Sequence, residues 1–271
     1  MNVFSPPQEL RERLRNFYKS SRPYAGHLAA EEEAYFNRYL SLIERYGAQA
    51  RMLLDAGCGT GLSTRLLSEK GRRAVGVDLS ELFLKEGKKR HGENGLLLAA
   101  ADILALPFQD ESFDLVSSYL VVEFLPDIEK GLEEMCRVLR RDGLLVIIAP
   151  NLLSPLWPLR DFFRMLAGGP ARPVWCETPG KALKTAWRNL CVLVQKAFQR
   201  RPQFLYREPD LTCETVVGRD SDSAYLVCPT DLTRFLKERG FRILRSGSRS
   251  GLIEKLFPFF AVAVEVVAQK E

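Results

Sequence analysis

Three acidic residues in the first half of the chain each follow a short apolar run. Asp55 follows the run at 52–54, Asp78 follows the run at 74–77, and Asp102 follows a third run shortly before it. Because the carboxyl ends of parallel strands meet at one edge of a sheet, we expect the three carboxylates to lie close together. Such a cluster repels phosphate groups and attracts a ligand that carries a positive charge.

A glycine-rich loop, DAGCGTG at 55–61, joins the first apolar run to a predicted helix that begins at Leu62. Glycine lacks a Cβ atom, so the loop can turn sharply and approach a ligand closely, next to the free N–H groups of the helix. A dinucleotide-binding fingerprint needs a glycine where this chain has Leu62. This spacing disfavours a nicotinamide-dependent oxidoreductase, and so does Asp55, because a carboxylate repels pyrophosphate and holds a cationic amino group.

The two later carboxylates match the parts of an adenosine group. Asp78 stands about 20 residues after Gly57, where a carboxylate can accept hydrogen bonds from both hydroxyls of a ribose. Asp102 can accept a hydrogen bond from an exocyclic amine such as that of adenine. Together the three acids predict a positively charged ligand that carries a nucleoside. The structural alternatives are an ordinary strand-to-helix turn at the glycines and a helix N-cap at Asp78.

Short apolar runs alternate with amphipathic helical stretches between positions 51 and 151. This alternation predicts an α/β fold with a mostly parallel sheet that helices cover on both faces. A last helix at 230–239 precedes two apolar runs, at 241–244 and 259–267, which predict an antiparallel end to the sheet. The other strands are expected at 52–54, 74–77, 96–100, 113–117 and 144–148, and the other helices at 62–70, 80–91 and 127–140.

The segments LLDAGCGTG, VGVDLS, AADILALPF, FDLVSS and LRRDGLLVIIAPN follow one another in this part of the chain. In this order they resemble the successive motifs of the class I S-adenosylmethionine-dependent methyltransferases, in the broad type 11 group that includes quinone-biosynthesis methyltransferases. The tail at 230–269 is similar to that family's last helix and strand pair. The resemblance implies a Rossmann-like, seven-stranded sheet whose last strand is antiparallel. It also implies the cofactor S-adenosyl-L-methionine, which leaves as S-adenosyl-L-homocysteine.

The resemblance further implies which residues hold each part of the cofactor. It assigns Asp55 and the loop glycines to the methionine moiety, and Asp78 to the ribose. It assigns Asp102 and Ile103 to the adenine, and Ser118 or Tyr119 to the face near the sulfonium. The full set of implied cofactor-binding residues is Asp55, Gly57, Cys58, Gly59, Gly61, Asp78, Leu79, Asp102, Ile103, Ser118 and Tyr119.

Methyl transfer displaces a neutral sulfide in line from a sulfonium carbon, so the protein mainly has to align the reactants. A base is required only when the acceptor carries a proton of high pKa. The family often places a histidine shortly after the fourth strand, where this chain has Glu123. The candidate bases are Glu123, if it is desolvated, and His27, in the N-terminal region that often closes over the cofactor in this family. A structural role is the alternative for each.

We expect a single domain over 1–271, in four parts. These are a helical cap at 1–50 with a polar loop at 20–26, a cofactor-binding core at 51–151, a basic and aromatic insert or lid at 152–222, and a helix with a strand pair at 223–271. A composition of 46% hydrophobic and 27% charged residues is typical of a globular protein.

The insert concentrates positive charge and aromatic residues. Between positions 151 and 209, ten basic residues stand against three acidic ones, and all three tryptophans of the chain lie there. Apolar residues recur at helical spacing over 183–198, which predicts a helix that either lies on a membrane surface or packs against the core. The insert favours an apolar or anionic small-molecule acceptor, such as a quinone precursor, a lipid or a lipid-linked sugar. Nucleic acid is disfavoured as a partner.

Two functions stay open: methyl transfer to a small molecule, and regulation by a protein that binds the cofactor without turnover. The acceptor and the oligomeric state also stay open. Six scattered cysteines and the lack of an apolar signal segment predict a cytoplasmic protein with reduced thiols and no metal site. Asp220 and Asp222 are expected in a solvated turn, with a place in the acceptor pocket or cation binding as the alternatives.

Overall fold

A seven-stranded sheet lies at the centre of the computed structural model, which describes residues 8–69, 71–92, 95–170, 178–211, 222–247 and 260–271. Its strands are β1 (Met52–Ala56), β2 (Arg73–Asp78), β3 (Leu97–Ala100), β4 (Phe113–Tyr119), β5 (Leu139–Pro150), β8 (Phe241–Arg245) and β9 (Ala263–Lys270). Two shorter strands, β6 (Leu205–Tyr206) and β7 (Tyr225–Leu226), form a separate antiparallel pair.

The strands of the sheet follow the order β3–β2–β1–β4–β5–β9–β8. The first five strands run parallel to their neighbours, whereas β9 is antiparallel to both β5 and β8. Six strands therefore share one direction and β9 runs against them, which confirms the predicted α/β fold with an antiparallel last strand. The carboxyl ends of β1 to β4 lie at one edge of the sheet, where folds of this kind bind ligands.

Helices cover both faces of the sheet. They are α1 (Gln8–Ser20), α2 (Arg22–Ala29), α3 (Asn37–Gly47), α4 (Leu62–Leu67), α5 (Glu81–His91), α6 (Ile128–Val138), α7 (Leu156–Leu166), α8 (Pro179–Phe198) and α9 (Pro229–Glu238). Short 3₁₀ turns at Glu33–Phe36, Ile103–Ala105 and Val122–Phe124 connect them to the strands.

Two apolar layers hold these helices against the sheet, because successive side chains of a strand point to opposite faces. Leu53 packs in one layer with residues of α3 and α4, such as Ile43 and Leu67. Its neighbour Leu54 packs in the other layer with residues of α6 and α9. Central strands that are buried on both faces read as continuous apolar runs, which is why the sequence located them.

Several predicted elements differ from the structure. The strand expected at 144–148 spans Leu139–Pro150, so the helix expected at 127–140 ends earlier, at Val138. The polar loop expected at 20–26 is wrong, because α2 begins at Arg22. Proline is tolerated in the first turn of a helix, so Pro23 does not stop α2. The last strand was expected at 259–267 but spans Ala263–Lys270. Its polar end belongs to the sheet because Gln269 pairs with β5 and Lys270 with β8. Phe259 lies outside the described residues.

The insert contains a helical hairpin, in which α7 packs against α8. A buried ion pair joins α8 to α9: Lys196 Nζ lies 2.5 Å from Asp231 Oδ2, and both side chains are almost fully buried. Within the described ranges, no helix has the length and the apolar character needed to span a bilayer. The same residues contain no cluster of three or more side chains suited to hold a metal ion.

Candidate functional site

A cavity opens at the carboxyl edge of the sheet, between the strand ends and the N-terminal cap, by which we mean residues 8–36. The core contributes one wall and the cap contributes the opposite one. The core residues that line it are Gly57, Cys58, Gly59, Ser63, Asp78, Leu79, Phe83, Asp102, Ile103, Tyr119, Leu120, Val121, Glu123, Phe124, Leu125 and Pro126. The cap residues that line it are Arg15, Tyr18, Tyr24, Leu28, Glu31, Tyr35 and Phe36.

The glycine loop follows β1 and lies against β2. The N–H groups of Gly57 and Cys58 both donate to the carbonyl of Val77, at 2.8 and 2.9 Å. Gly57 has a φ of 82°, and a Cβ atom there would lie 2.4 Å from Val121 Cγ2. Only glycine fits this position, because a side chain would be strained and would also clash. Gly61, with a φ of 80°, is the N-cap of α4 and lies outside the cavity lining.

Asp55 lies behind this loop and not in the cavity. Its side chain is buried and accepts hydrogen bonds from the hydroxyls of Tyr39 (3.0 Å), Ser63 (2.6 Å) and Thr64 (2.8 Å). Burial raises the pKa of Asp55, and the three hydroxyls act in the opposite direction. The expected direct contact between Asp55 and a cationic amino group is therefore corrected: its carboxylate fixes α3 and α4 against β1.

Asp78 faces the cavity at the end of β2. Its Oδ2 atom accepts a hydrogen bond from the N–H of Gly59 at 2.9 Å, and its Oδ1 atom accepts one from the N–H of Ser80, also at 2.9 Å. Burial raises the pKa of Asp78 to about 6, although both backbone donors lower it. The side chain thus orders the loop and also presents carboxylate lone pairs to the cavity.

Asp102 caps a 3₁₀ turn and also contacts the N-terminal cap. Its Oδ1 atom accepts a hydrogen bond from the N–H of Leu104 at 3.0 Å. Its Oδ2 atom lies 2.9 Å from an Nη atom of Arg15, which belongs to α1. Asp102 and Ile103 both line the cavity, so the structure brings the two predicted adenine residues together with Asp78.

The structure separates the two residues that were expected near the sulfonium. Ser118 is fully buried, and its hydroxyl donates to the carbonyl of Ala56 at 3.1 Å, outside the cavity lining. Tyr119 lines the cavity, and its hydroxyl donates to the carbonyl of Tyr35 at 3.0 Å. Burial raises the pKa of Tyr119 to about 12, and the nearby Glu31 acts in the same direction.

Aromatic rings and acidic side chains line a second part of the cavity. Glu123 is 1% exposed, and its own 3₁₀ turn follows β4 closely. Tyr18, from α1, donates a 2.7 Å hydrogen bond to Asp222 and packs against the ring of Phe124. Burial raises the pKa of Glu31 to about 7.

The expectation of a solvated turn is wrong for Asp222, which is 1% exposed. It accepts the hydrogen bond from Tyr18 behind this part of the cavity. Asp220 lies outside the described residues. His27 belongs to α2, but its side chain also lies outside what the structure describes.

Several lining residues escaped the sequence interpretation because nothing local marks them. Arg15 lies on α1 and Glu31 lies between α2 and the 3₁₀ turn at Glu33–Phe36, and sequence alone does not orient either side chain toward a cavity. A usable signal was the amphipathic pattern of α1, whose buried residues Leu10 and Leu14 imply that one face packs against the core.

Residues 54–147 match the model of a family described as a methyltransferase domain. The match includes the glycine loop and β1 to β5 up to Ile147, the part of the chain that builds the core wall of the cavity. Residues 54–147 of the chain thus match a methyltransferase domain, in line with the family that the sequence motifs resemble.

Two curated relatives resemble the chain over about half of its length. Demethylmenaquinone methyltransferase of Thermobifida fusca is 34% identical over 147 residues, which cover 49% of this chain and 61% of that protein. Malonyl-[acyl-carrier protein] O-methyltransferase of Salmonella typhimurium is 34% identical over 128 residues, which cover 47% of this chain and 49% of that protein. The chain thus spans less than two thirds of either relative.

The solved structure of one methyltransferase resembles this chain over almost its whole length. The 1,6-didemethyltoxoflavin-N1-methyltransferase of Burkholderia thailandensis superposes with a TM-score of 0.58 at 15% identity, covering 98% of this chain and 91% of that one. At this identity the likeness shows a shared fold, which therefore extends beyond the residues that the family model matches.

Proposed function

We propose that this protein transfers the methyl group of S-adenosylmethionine to a small-molecule acceptor that binds in the same cavity. The observation that carries the proposal is that the glycine loop, Asp78 and Asp102 line one part of the cavity, while Glu123 and aromatic rings line another part. The part of the cavity that is lined by the glycine loop, Asp78 and Asp102 fits a cationic nucleoside. The part that is lined by Glu123 and the aromatic rings leaves a place for a second molecule beside it.

The residues present fit this cofactor. The backbone of the loop at Gly57, Cys58 and Gly59 lines the cavity, where it can lie against the ligand. Asp78 retains lone pairs for two ribose hydroxyls, and Asp102 has one for an exocyclic amine. Cys58, Gly59, Leu79, Ile103 and Tyr119 complete this part of the lining. Asp55, Gly61 and Ser118 are proposed to act from behind it, by holding the loop and β4 in place.

When bound, S-adenosylmethionine supplies an activated methyl group on a positively charged sulfur. The chain's own residues then have to orient the acceptor and exclude water. Tyr18 and Tyr24 pack edge to face with ring centroids 5.7 Å apart, and Tyr24 stacks on Phe83 of the core. These rings close the cavity from the cap side, and alignment of this kind lowers a barrier by roughly 7–11 kcal/mol.

We propose Glu123 as the group that accepts the acceptor's proton. A carboxylate in a buried position binds a proton more readily than one in water, because burial disfavours its charged form. Glu123 lines the cavity next to Tyr18 and Phe124, so an O–H or N–H group of an acceptor there would lie within its reach. The other predicted base, His27, stays a candidate from the sequence alone.

The charges of the cavity favour a neutral or cationic acceptor. Among the described lining residues, Arg15 is the single cation, and it is paired with Asp102. The same lining contains four acidic side chains, Asp78, Asp102, Glu31 and Glu123. An anionic acceptor, which the basic insert favoured in the sequence, would be repelled by these carboxylates. An apolar or aromatic acceptor with one ionisable group fits the rings and the carboxylates best.

The test is release of S-adenosylhomocysteine by the purified full-length chain, supplied with S-adenosylmethionine and with polar or lipid extracts separately. We expect release with one extract, and we expect Glu123→Gln to lower kcat by about a hundredfold or more while cofactor affinity is kept. Glu129→Gln, which alters an exposed acid on α6, is the matched control and leaves kcat unchanged.

Two results contradict the proposal at different points. Binding of S-adenosylhomocysteine in calorimetry without turnover in any extract favours the regulatory alternative. An unaltered kcat in Glu123→Gln, with turnover intact, removes Glu123 from proton transfer and leaves the methyltransferase function standing.

A further inference from the structure

The hairpin of α7 and α8 exposes most of the large apolar side chains that face solvent. Of eight such side chains in the described residues, six belong to these two helices. Phe198 is 83% exposed and Trp187 is 68% exposed, whereas a tryptophan or phenylalanine in a soluble domain is mostly covered. The six residues, which we call the insert stripe, are Phe163, Leu166, Leu183, Trp187, Val194 and Phe198.

The α8 part of the insert stripe forms a continuous line along the helix. Leu183, Trp187, Val194 and Phe198 follow one another at spacings of four, seven and four residues, which places them on one face. The opposite face is occupied, because Ala182, Ala186 and Leu193 are buried in the protein. The exposed line is therefore a second apolar face, not the core-packing face that the sequence left as an alternative.

Basic side chains flank this line. Lys184 and Arg188 are exposed on α8 next to Leu183 and Trp187, and Arg200 and Arg201 follow Phe198. The single acidic residue in the described parts of the hairpin, Asp161, is buried and pairs with Arg164. An apolar line bordered by Lys and Arg is the composition of a helix that lies in a membrane interface.

The hairpin is held firmly enough to present this face. Asn189 donates hydrogen bonds to the carbonyls of Leu152 and Ser154, and the Lys196–Asp231 ion pair fixes the last turn of α8 to α9. The buried groups on the inner face of α8 would lose these partners if the helix rotated to hide its outer face. The exposed apolar line is therefore a fixed property of the fold.

We propose that the insert stripe docks the protein onto an anionic lipid surface, with α8 lying in the interface plane. Trp187 and Phe198 enter the boundary between head groups and acyl chains, and the flanking Lys and Arg contact lipid phosphates. A second copy of the chain is a poorer occupant, because pairing two such faces brings their positive charges together. This docking is independent of methyl transfer, and the cavity lining contains no residue of α7 or α8.

The test is co-sedimentation of the full-length chain with vesicles of phosphatidylcholine alone or mixed with phosphatidylglycerol. We expect binding to the mixed vesicles that weakens with salt, since each Lys or Arg near an anionic surface adds roughly fivefold to the affinity. The double variant Trp187→Ser, Phe198→Ser should bind at least about tenfold more weakly. The double variant Lys184→Glu, Arg188→Glu should lose a similar factor or more.

The matched control reverses two exposed positive charges elsewhere. Lys85 and Lys89 lie on α5 with side chains 76% and 79% exposed, so Lys85→Glu, Lys89→Glu changes the net charge by the same amount. Vesicle binding by this control should change less than about twofold, because distant charges are screened. Thermal unfolding of each variant checks that the fold is kept.

Three outcomes overturn the proposal. One is a lack of binding to phosphatidylglycerol vesicles, and another is an equal loss of binding in the α5 control. The third is a dimer in sedimentation that Trp187→Ser, Phe198→Ser dissociates, because a second copy would then cover the stripe. Docking and turnover are separate measurements, so failure of one leaves the other standing.

Discussion

Asp78 links the pH of the solution to both cofactor affinity and stability, because burial raises its pKa to about 6. Its carboxylate is proposed to accept the ribose hydroxyls, so protonation removes acceptor lone pairs. We expect the affinity for S-adenosylhomocysteine to fall by up to about tenfold per pH unit below pH 6, measured by calorimetry. In Asp78→Asn the affinity should be low throughout, and a fall that persists in this variant would assign it to another group.

Protonation of Asp78 has the opposite effect on stability, measured as the free energy of unfolding. Its folded pKa of about 6 lies above the ordinary value of about 3.9, so the folded state binds the proton more tightly than the unfolded state. The contribution of Asp78 to stability is thus fully present below about pH 3.9 and is lost as the pH rises through about 6. Affinity and stability therefore respond to this carboxyl group in opposite directions between these pH values.

At Gly57, the cost of a steric clash with Val121 can be measured separately from the cost of a side chain at positive φ. Gly57→Ala places a Cβ atom 2.4 Å from Val121 at a φ of 82°, so it should lower the free energy of unfolding by more than the roughly 1–2 kcal/mol of the backbone penalty. Gly71→Ala is the matched control, since Gly71 has a φ of 74° and no atom within 4 Å of its Cβ position. Urea titration of both variants measures the difference; equal losses would mean that Val121 moves aside freely.

At the scale of elements, hydrogen bonds from Tyr18 to Asp222 and from Arg13 to Glu208 join α1 to the insert. Tyr18 donates to Asp222 at 2.7 Å, and the carboxylate that accepts is buried. Tyr18→Phe should lower the unfolding free energy by roughly 1–3 kcal/mol, because a buried charged acceptor loses this donor. Pairing it with Asp222→Asn in a double-mutant cycle checks the cause: strictly additive losses would mean that the two side chains do not interact.

The joint between α8 and α9 depends on the buried pair Lys196–Asp231. Lys196→Met should cost about 3–5 kcal/mol of stability, because it leaves the Asp231 charge buried without its ammonium partner. Replacing both residues by apolar ones of similar volume should recover most of that loss. Denaturant titration of the single and double variants measures this, and a double variant as unstable as the single one would contradict a charge-based origin.

At the scale of the whole molecule, the cavity has walls from two distant parts of the sequence. The cap contributes Tyr24 and Leu28 of α2, and the core contributes the loop residues 57–59. Binding of S-adenosylhomocysteine should therefore slow amide hydrogen exchange in both parts together, because each loses solvent access when the cavity fills. Exchange in α7 and α8 should stay the same. Slowing confined to the strand ends would show that the cap does not close on the cofactor.

The positions of the strands were accessible from sequence to a large extent. Parallel strands buried on both faces read as short apolar runs, so β1, β2 and β4 were located within one or two residues. The end of β9 was not, because Gln269 and Lys270 join the sheet through partners on β5 and β8 that are far away in sequence. The polar side chains of these two residues suggest that the strand ends before them, but their pairing with β5 and β8 keeps them in the sheet.

The sequence by itself determined the class of the fold, the family and the edge of the sheet where the site lies. The fold class and the edge of the sheet follow from apolar periodicity and from glycine and acidic residues at fixed distances along the chain, which are local properties. The family comes from the resemblance of the ordered segments between positions 53 and 151 to the motifs of known methyltransferases. The tertiary structure decided which carboxylates face the cavity. It placed Asp55 behind the wall, paired Asp102 with Arg15 and buried Asp222 under Tyr18. The physical reason is that a buried polar group must find its partners in space, and those partners come from elements that only folding brings together.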